Sequence, residues 1–463
     1  MNQLARLNGT KVGLGLLTLV STVALIEVIF TSRRLRPIAD DYGSADAMIS
    51  GGFVNYITSN YMNFSGELSR VISDAVLVGF PVSYANWNLA SSLTFTFATA
   101  AVLFAFAVLM RIGMPTETGT LFIWVALPTA ALGWWAYWWA PAGLGTREGV
   151  RSLPEAITHW QIINSSYVFL VSLSIGIWFW GAVARHKQYK LALGVSAASA
   201  LLVGLSGPSL GLSAFATLAI LLGLNLLSSA SPNTRPSRGS LIASLGGVGL
   251  GLVISQTSPG TRERAAYLMN SEGAVPRTPG NLLSWTVPTG FLEWFNGIWN
   301  VGALVILGLT VTLGFMLARL RQLQSQPLLS VALAVMGFSF VYAVLNRLAE
   351  AFSYVTFWHQ IGFRTVQALG LFTLGLALGA WLSRFKVRSV SIGIGAALAI
   401  FVVWAVSAER LMVGSINDRY ATWNIGAAPL EGMPDIENSD TWVYRSWLVL
   451  AEFRGDAPDR GVK

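Results

Sequence analysis

The chain contains no cysteine, three histidines and few charges. Without cysteine there is no disulfide framework, no thiolate metal site and no cysteine nucleophile, although the redox compartment stays open. Asp, Glu, Lys and Arg make up only 11% of the 463 residues, whereas 54% are hydrophobic. Soluble domains carry about a quarter charged residues. The uncharged runs here are long enough to cross a bilayer, and only helices or closed barrels can do so with their backbone groups satisfied. The expected fold class is therefore an all-α polytopic membrane protein.

Apolar windows of helical length number about eleven. They lie near 12–30, 90–110, 120–140, 165–184, 190–206, 209–228, 240–256, 298–318, 327–345, 365–383 and 390–407. The stretch from Leu191 to Ser228 is broken at "SGPS" and reads either as two spans or as one re-entrant element. No internal repeat and no low-complexity linker divides the chain.

The formal net charge of +8 acquires meaning from its distribution. With a cytoplasmic N-terminus, the short loops "RIGMPTETGT", "ARHKQYK", "SPNTRPSRGS", "ARLRQLQSQ" and "SRFKVRS" all fall on the cytoplasmic side and all carry Lys or Arg, as the positive-inside rule requires. Among the acids only Glu117 shares that side, Glu27 lies within the first span, and the rest face outward. The basic balance thus follows from topology, and nucleic acid is not an expected partner. "TSRRLR" runs against the bias, placing Arg33, Arg34 and Arg36 at the outer end of the first span, where anionic headgroups or phosphates would match them. The first run is long, and "EVIFTSRR" offers no small-residue cleavage site, so it reads as a retained span and not a signal peptide.

The long segments all lie on the outer side: 31–89, 141–164, 257–297, 346–364 and 408–463. Loops of that size on one face mark the side where chemistry is done. In the first of them, Ile49, Phe53, Tyr56, Phe64, Leu68, Val71 and Val76 recur at three- and four-residue intervals, with breaks at Gly51-Gly52 and Ser65-Gly66. That spacing predicts short amphipathic helices lying on the membrane surface. Just before them stands "RPIADDYGSAD", residues 36–46, with Asp40, Asp41 and Asp46. Such acids can cap a helix, or, where the chain leaves the lipid, can meet a lipid-bound substrate. Glu27 likewise reads either as a functional group facing the bundle interior or as a solvated residue near the interface.

A first span ending in an aspartate pair, surface helices in the first outer loop and many further spans with outward loops resemble the GT-C superfamily of membrane glycosyltransferases. The resemblance rests on "RPIADDYGSAD" and on the overall plan. It implies an inverting transfer of a sugar from a polyprenyl-phosphate donor to a cell-envelope glycan or glycolipid at the outer face of a plasma membrane. It further implies that Asp41 is the general base, with Asp40 orienting it or holding a divalent cation. Several subfamilies continue with a "W-x-GR"-like stretch. This chain has "YMNFSGELSR", which keeps Gly66 and puts Glu67 where the arginine would stand, leaving Glu67 as a candidate substrate contact.

The chemistry sets its own demands. An acceptor hydroxyl must lose its proton as it attacks, which a nearby carboxylate can accept. A departing phosphate needs Arg, Lys or a metal. Arg262 and Arg264 in "TRER" and Arg364 in "FWHQIGFR" are the candidate phosphate ligands, each of which also reads as an ordinary surface cation. His159 and His359 are further candidates for the carrier phosphate or a metal, or for interfacial hydrogen bonding. "WWAYWW", from Trp134 to Trp139, reads by default as an interface belt, or as aromatic faces that line a sugar site. Arg347 and Glu350 have the i, i+3 spacing of an ion pair. "GGVGLGL" at 246–252 reads as close helix packing and not as a nucleotide loop. Residues 1–407 form the expected membrane module, and 408–463 an outer tail, too proline-rich for a long helix, that folds over the loops.

Two other functions fit the same composition. A transporter would use Glu27 and the "SGPS" break near the midplane, and a non-catalytic scaffold for envelope assembly would need the acids only as a cap.

Overall fold

The computed structural model describes residues 2–34, 40–63, 66–79, 87–114, 119–139, 165–183, 189–227, 238–269, 279–352, 359–385 and 388–425. Every regular element among them is helical. In chain order these are α1 (Asn2–Ser32), α2 (Asp40–Asn63), α3 (Leu68–Asp74, continued by a π turn, Ala75–Gly79), α4 (Trp87–Ile112), α5 (Gly119–Trp139), α6 (Ser165–Val183), α7 (Tyr189–Gly204) and α8 (Pro208–Leu227). They are followed by α9 (Arg238–Thr257), α10 (Pro259–Met269), α11 (Pro279–Ile298), α12 (Val301–Arg319), α13 (Ser325–Phe352), α14 (His359–Leu382) and α15 (Arg388–Ile425).

Helix α1 shows which solvent this fold is built for. Val12, Leu16, Leu19, Val23, Ile26 and Phe30 alternate by four and three residues and are all more than half exposed, while Leu14, Leu17, Ser21, Ala24, Val28 and Ser32 face inward. The bulkier apolar stripe is the outer one, and Ser21 is buried against Thr129 of α5 at 3.4 Å. In water that arrangement would be inside out; in hydrocarbon, where small and polar residues mediate helix contacts, it is the stable one. Six helical stretches are long and apolar enough to span: Gly9–Ser32, Ser92–Ile112, Arg238–Thr257, Val301–Arg319, Ser325–Leu348 and Ile361–Leu382. Leu121–Tyr137, Val168–Ile177, Leu193–Gly204 and Pro208–Gly223 are apolar but shorter. The chain is thus a multi-helix protein of membrane type. Of the eleven windows read from sequence, six coincide with full-length spans and four with the shorter helices. The eleventh, 390–407, lies within α15.

Helix α14 is central, with 78% of its spanning window buried against 28% for α1. Small residues let its neighbours close on it: a Cβ on Gly314 of α12 would strike the Leu376 backbone, and one on Gly379 would strike Val311 O and Phe315 N. The glycines of "GGVGLGL" serve the same purpose between α7 and α9, where Gly247 faces Ala197 O and Gly251 faces Leu201 O and Gly204. "SGPS" is a tight turn joining two helices, with Gly207 at φ +124° and Pro208 opening α8, a use of glycine and proline that their backbone freedom and restraint explain.

Loops collect at two ends. At one, Gln324 N donates to Gly113 O at 2.9 Å, Arg384 donates to Ser325 Oγ at 2.9 Å and Arg319 to Phe385 O at 3.4 Å. At the other lie α2, α3 and α10. Helix α2 breaks at Gly52 (φ 76°, ψ 168°) and the chain breaks again before α3, both where the glycines predicted. The buried face differs from the expected one: Met48, Tyr56, Val71 and Ala75 form a small core, whereas Phe53 and Val76 are exposed. The non-helical Gly52 resets the helical phase, so a single stripe cannot run through both halves.

Candidate functional site

Arginine 364 lies in the second turn of α14, and the helix places it inside the bundle, with only 7% of its surface exposed. Its Nε is buried without an acceptor, and among the described residues no carboxylate pairs with it. The guanidinium carbon is 5.9 Å from the Phe363 ring centroid, and its charge reaches the Tyr137 hydroxyl. Burying an ion without a partner costs several kcal/mol, so this is an expensive position for an arginine whose only role is packing.

Three residues further along α14, on the same face, Gln367 holds together a break in the chain. Helices α11 and α12 are separated by Trp299-Asn300, and a break leaves carbonyls at the end of one helix and N–H groups at the start of the next without partners. Here side chains supply them. Asn300 Oδ1 accepts from Ala303 N at 2.8 Å, and Asn300 Nδ2 donates to Gly297 O at 2.7 Å and Asn296 O at 3.2 Å. Gln367 Nε2 donates to Trp294 O at 2.6 Å. The Tyr137 hydroxyl shares its proton between Gln367 Oε1 at 3.0 Å and Gly297 O at 3.3 Å. Gly302, in the first turn of α12, packs on the Tyr137 backbone. The break between α11 and α12 and the Arg364 cation therefore meet at one phenol.

Opposite charge stands across a layer of aromatic rings. Tyr342 of α13 meets Phe363 edge to face, with centroids 6.3 Å apart, and a Cβ on Gly362 would collide with its hydroxyl. The Glu67 carboxylate lies near enough to that hydroxyl to act on it electrostatically. Glu67 is 6% exposed and bonded to Arg70 (Nε to Oε2, 2.6 Å), which also bonds Asp74 (Nη1 to Oδ2, 3.1 Å). The carboxylate abuts the α7–α8 turn, where a Cβ on Gly207 would come 3.2 Å from Glu67 Oε1. Gly66 is pinned beside it: its N–H donates to Thr261 Oγ1 at 2.9 Å, and a Cβ there would strike Ser255 O.

Of the residues expected to act, the structure joins Arg364 and Glu67 to this end of the bundle. Asp40 and Asp41 are the first two residues of α2; their side chains lie outside the described ones, as do those of Arg264 and His359, while His159 lies outside the described residues altogether. Arg262 is exposed on α10. Trp134, Trp135 and Tyr137 are buried, not lipid-facing, because α5 turns this face toward α12. Glu27 bonds Arg410 of α15 at 2.5 Å. Arg347 forms an ion pair with Glu293 of α11, and Glu350 is not among the described side chains. Among the described residues no three of His, Asp and Glu converge as a metal site requires. Gln367, Tyr342, Asn300 and Arg70 were not singled out from sequence, and Tyr137 was read only as part of the aromatic run. The i, i+3 pair Arg364/Gln367 within an apolar run was the signal available for one of them.

This arrangement is suited to holding an anion at the loop-bearing end of a membrane bundle. No family model, curated protein or solved structure matches the chain.

Proposed function

We propose that this protein is an inverting membrane glycosyltransferase that moves a sugar from a polyprenyl-phosphate donor to a cell-envelope glycan or glycolipid. The observation that carries the reading is Arg364, a buried cation without a counter-ion among the described residues, at the end of the bundle that also bears α2. In this scheme Asp41 accepts the acceptor's hydroxyl proton while the oxygen attacks the anomeric carbon. The bond from that carbon to the phosphate oxygen breaks, its electron pair leaves with the phosphate, and Arg364 with the amino end of α12 neutralises the charge that develops there. Asp40 orients Asp41. The protein sits in a plasma membrane with its N-terminus cytoplasmic and α2, α3 and α10 outside.

The test is sugar transfer from radiolabelled polyprenyl-phosphate sugars by membranes containing the wild type, Asp41→Asn or Arg364→Gln, at matched expression and unfolding midpoint. Loss of transfer in both stable variants is expected. Transfer unchanged in either variant would remove that residue from the mechanism. One observation favours a second reading, a carrier of a lipid-linked anion: the α11–α12 break, since discontinuous helices line substrate sites in many transporters. Absence of transfer by the wild type, together with Arg364-dependent movement of a fluorescent polyprenyl phosphate across proteoliposomes, would favour the carrier.

A further inference from the structure

Helix α15 packs on α1, α5 and α12, and past its apolar window its inward face carries an acid. Ala405, Glu409 and Val413 are all buried, Glu409 with 1% of its surface exposed, and they repeat at the four-residue spacing of one helix face. Glu409 therefore occupies a position where packing alone would select an apolar side chain. Its Oε1 is buried without a hydrogen-bond partner, and its Oε2 is 3.7 Å from Arg410 Nε, too far for a hydrogen bond. Arg410 is engaged elsewhere: its Nη1 donates to Glu27 Oε1 of α1 at 2.5 Å. Two carboxylates thus compete for one guanidinium, and Glu27 has it. With both acids ionised the trio carries one excess negative charge, on its most buried member.

Nothing else among the described residues packed on α15 offsets that charge. Helix α5 carries no charged residue, and its Tyr137 hydroxyl is bonded to Gln367 and Gly297. Helix α12 carries only Arg319, which bonds Phe385 O at the opposite end of the bundle. On α1, Lys11 lies about four turns before Glu27; beyond the acid, Arg33 sits over the Phe30 ring and Arg34 bonds Asn417. The side chains of Asp418 and Arg419 lie outside the described ones. Glu409 Oε1 is closed off, so a metal ion or a polar molecule has no room beside it. A proton needs none, and a buried carboxylate without a partner takes one and becomes neutral. Burial pushes the Glu409 carboxyl up to about 7, with the Glu27 charge adding to the rise and Arg410 opposing it. We infer that Glu409 is a proton-binding site in the contact between α1 and α15, which keeps its proton while Glu27 holds Arg410. When the proton leaves to water, the second carboxylate repels Glu27 and competes for its arginine, and the tie between the two helices weakens. The inference does not depend on the glycosyltransferase reading.

The full chain in lipid nanodiscs is titrated between about pH 5 and pH 9 while the infrared band of protonated carboxyl groups is followed; ordinary carboxylates have lost their protons over most of that range. The wild type is expected to show a band that fades with a midpoint near neutrality and that is absent from Glu409→Gln. Glu27→Gln frees Arg410 for Glu409 and removes a repelling charge, so the proton affinity is expected to fall about tenfold or more, whereas Arg410→Gln raises it. Stability supplies a second readout. The folded-state value lies above the ordinary carboxylate one, so this group lowers the stability of the wild type as pH rises from about 4 to about 7, where only the folded chain holds the proton. The neutral Glu409→Gln lacks that loss, and its unfolding midpoint is expected to exceed the wild type's by more at about pH 8 than at about pH 5. A wild type without a band near neutrality, a band retained in Glu409→Gln, a midpoint unmoved by Glu27→Gln, or a Glu409→Gln protein whose relative stability does not change with pH would each overturn the proposal.

Discussion

Arginine 364 separates a structural from a functional use of the same side chain. Where a buried ion has a partner, removing one member strands the other and destabilises the fold by about 3–5 kcal/mol. Here nothing described is stranded by its removal. Arg364→Met is therefore expected to match or raise the stability of the wild type, by about 1–2 kcal/mol, as relief of a strained functional position does, while sugar transfer is lost. A thermal melt in detergent reads the first half, and a lowered midpoint would mean that the guanidinium has a structural partner and no vacancy for a substrate. The arginine itself was visible in "FWHQIGFR", but its burial was not. That depends on which face α14 turns toward α5, and the apolar residues on every side of "IGFRTVQALGLF" give no periodic hint. Tyr137 was hidden for the same reason, since an aromatic run at the end of a span looks identical whether it faces lipid or α12.

At the level of the helix, punctuation was more legible than phase. Gly51-Gly52 and Ser65-Gly66 marked the divisions of the first loop correctly, because a glycine's conformational freedom is a local property. The face each piece buries is not local, and the turn at Gly52 rotated Phe53 out and Tyr56 in. The close approach at Gly66 has a measurable cost: Gly66→Ala would push a methyl into Ser255 O and is expected to destabilise the chain by about 1–3 kcal/mol, read as a lower unfolding midpoint. A neutral effect would show that α3 is not docked on the α9–α10 corner. The α11–α12 break makes a second prediction. Asn300→Ala removes the cap of α12 and the donor to Gly297 O, a loss of about 1–2 kcal/mol. Unaltered stability would mean that water, not Asn300, satisfies the break.

Across the whole molecule the charge pattern makes a claim about direction. Basic residues gather where α12 ends and α13 begins, and α2, α3 and α10 gather at the other end. A chain without cysteine has no background thiols, so single substitutions report directly. Ser59→Cys on α2 is expected to react with an impermeant maleimide in intact cells, and Gln326→Cys at the start of α13 only after permeabilisation, both positions being exposed. The reverse pattern would invert the topology, and labelling of both in intact cells would break the alternation of the spans. What the apolar windows could not show was where the last helix stops. Position 407 ends its apolar stretch, yet α15 continues to Ile425.

That last helix acts as a ruler. Arg34, just past the end of α1, donates to Asn417 of α15 at 2.8 Å, which fixes the two helices in register where α1 finishes. From 418 to 425 α15 continues, about 12 Å at the rise of an α-helix. Whatever segment follows Ile425 begins at that set height above the end of α1, and inserting or deleting one helical turn in this stretch would raise or lower it by about 5 Å and rotate it little.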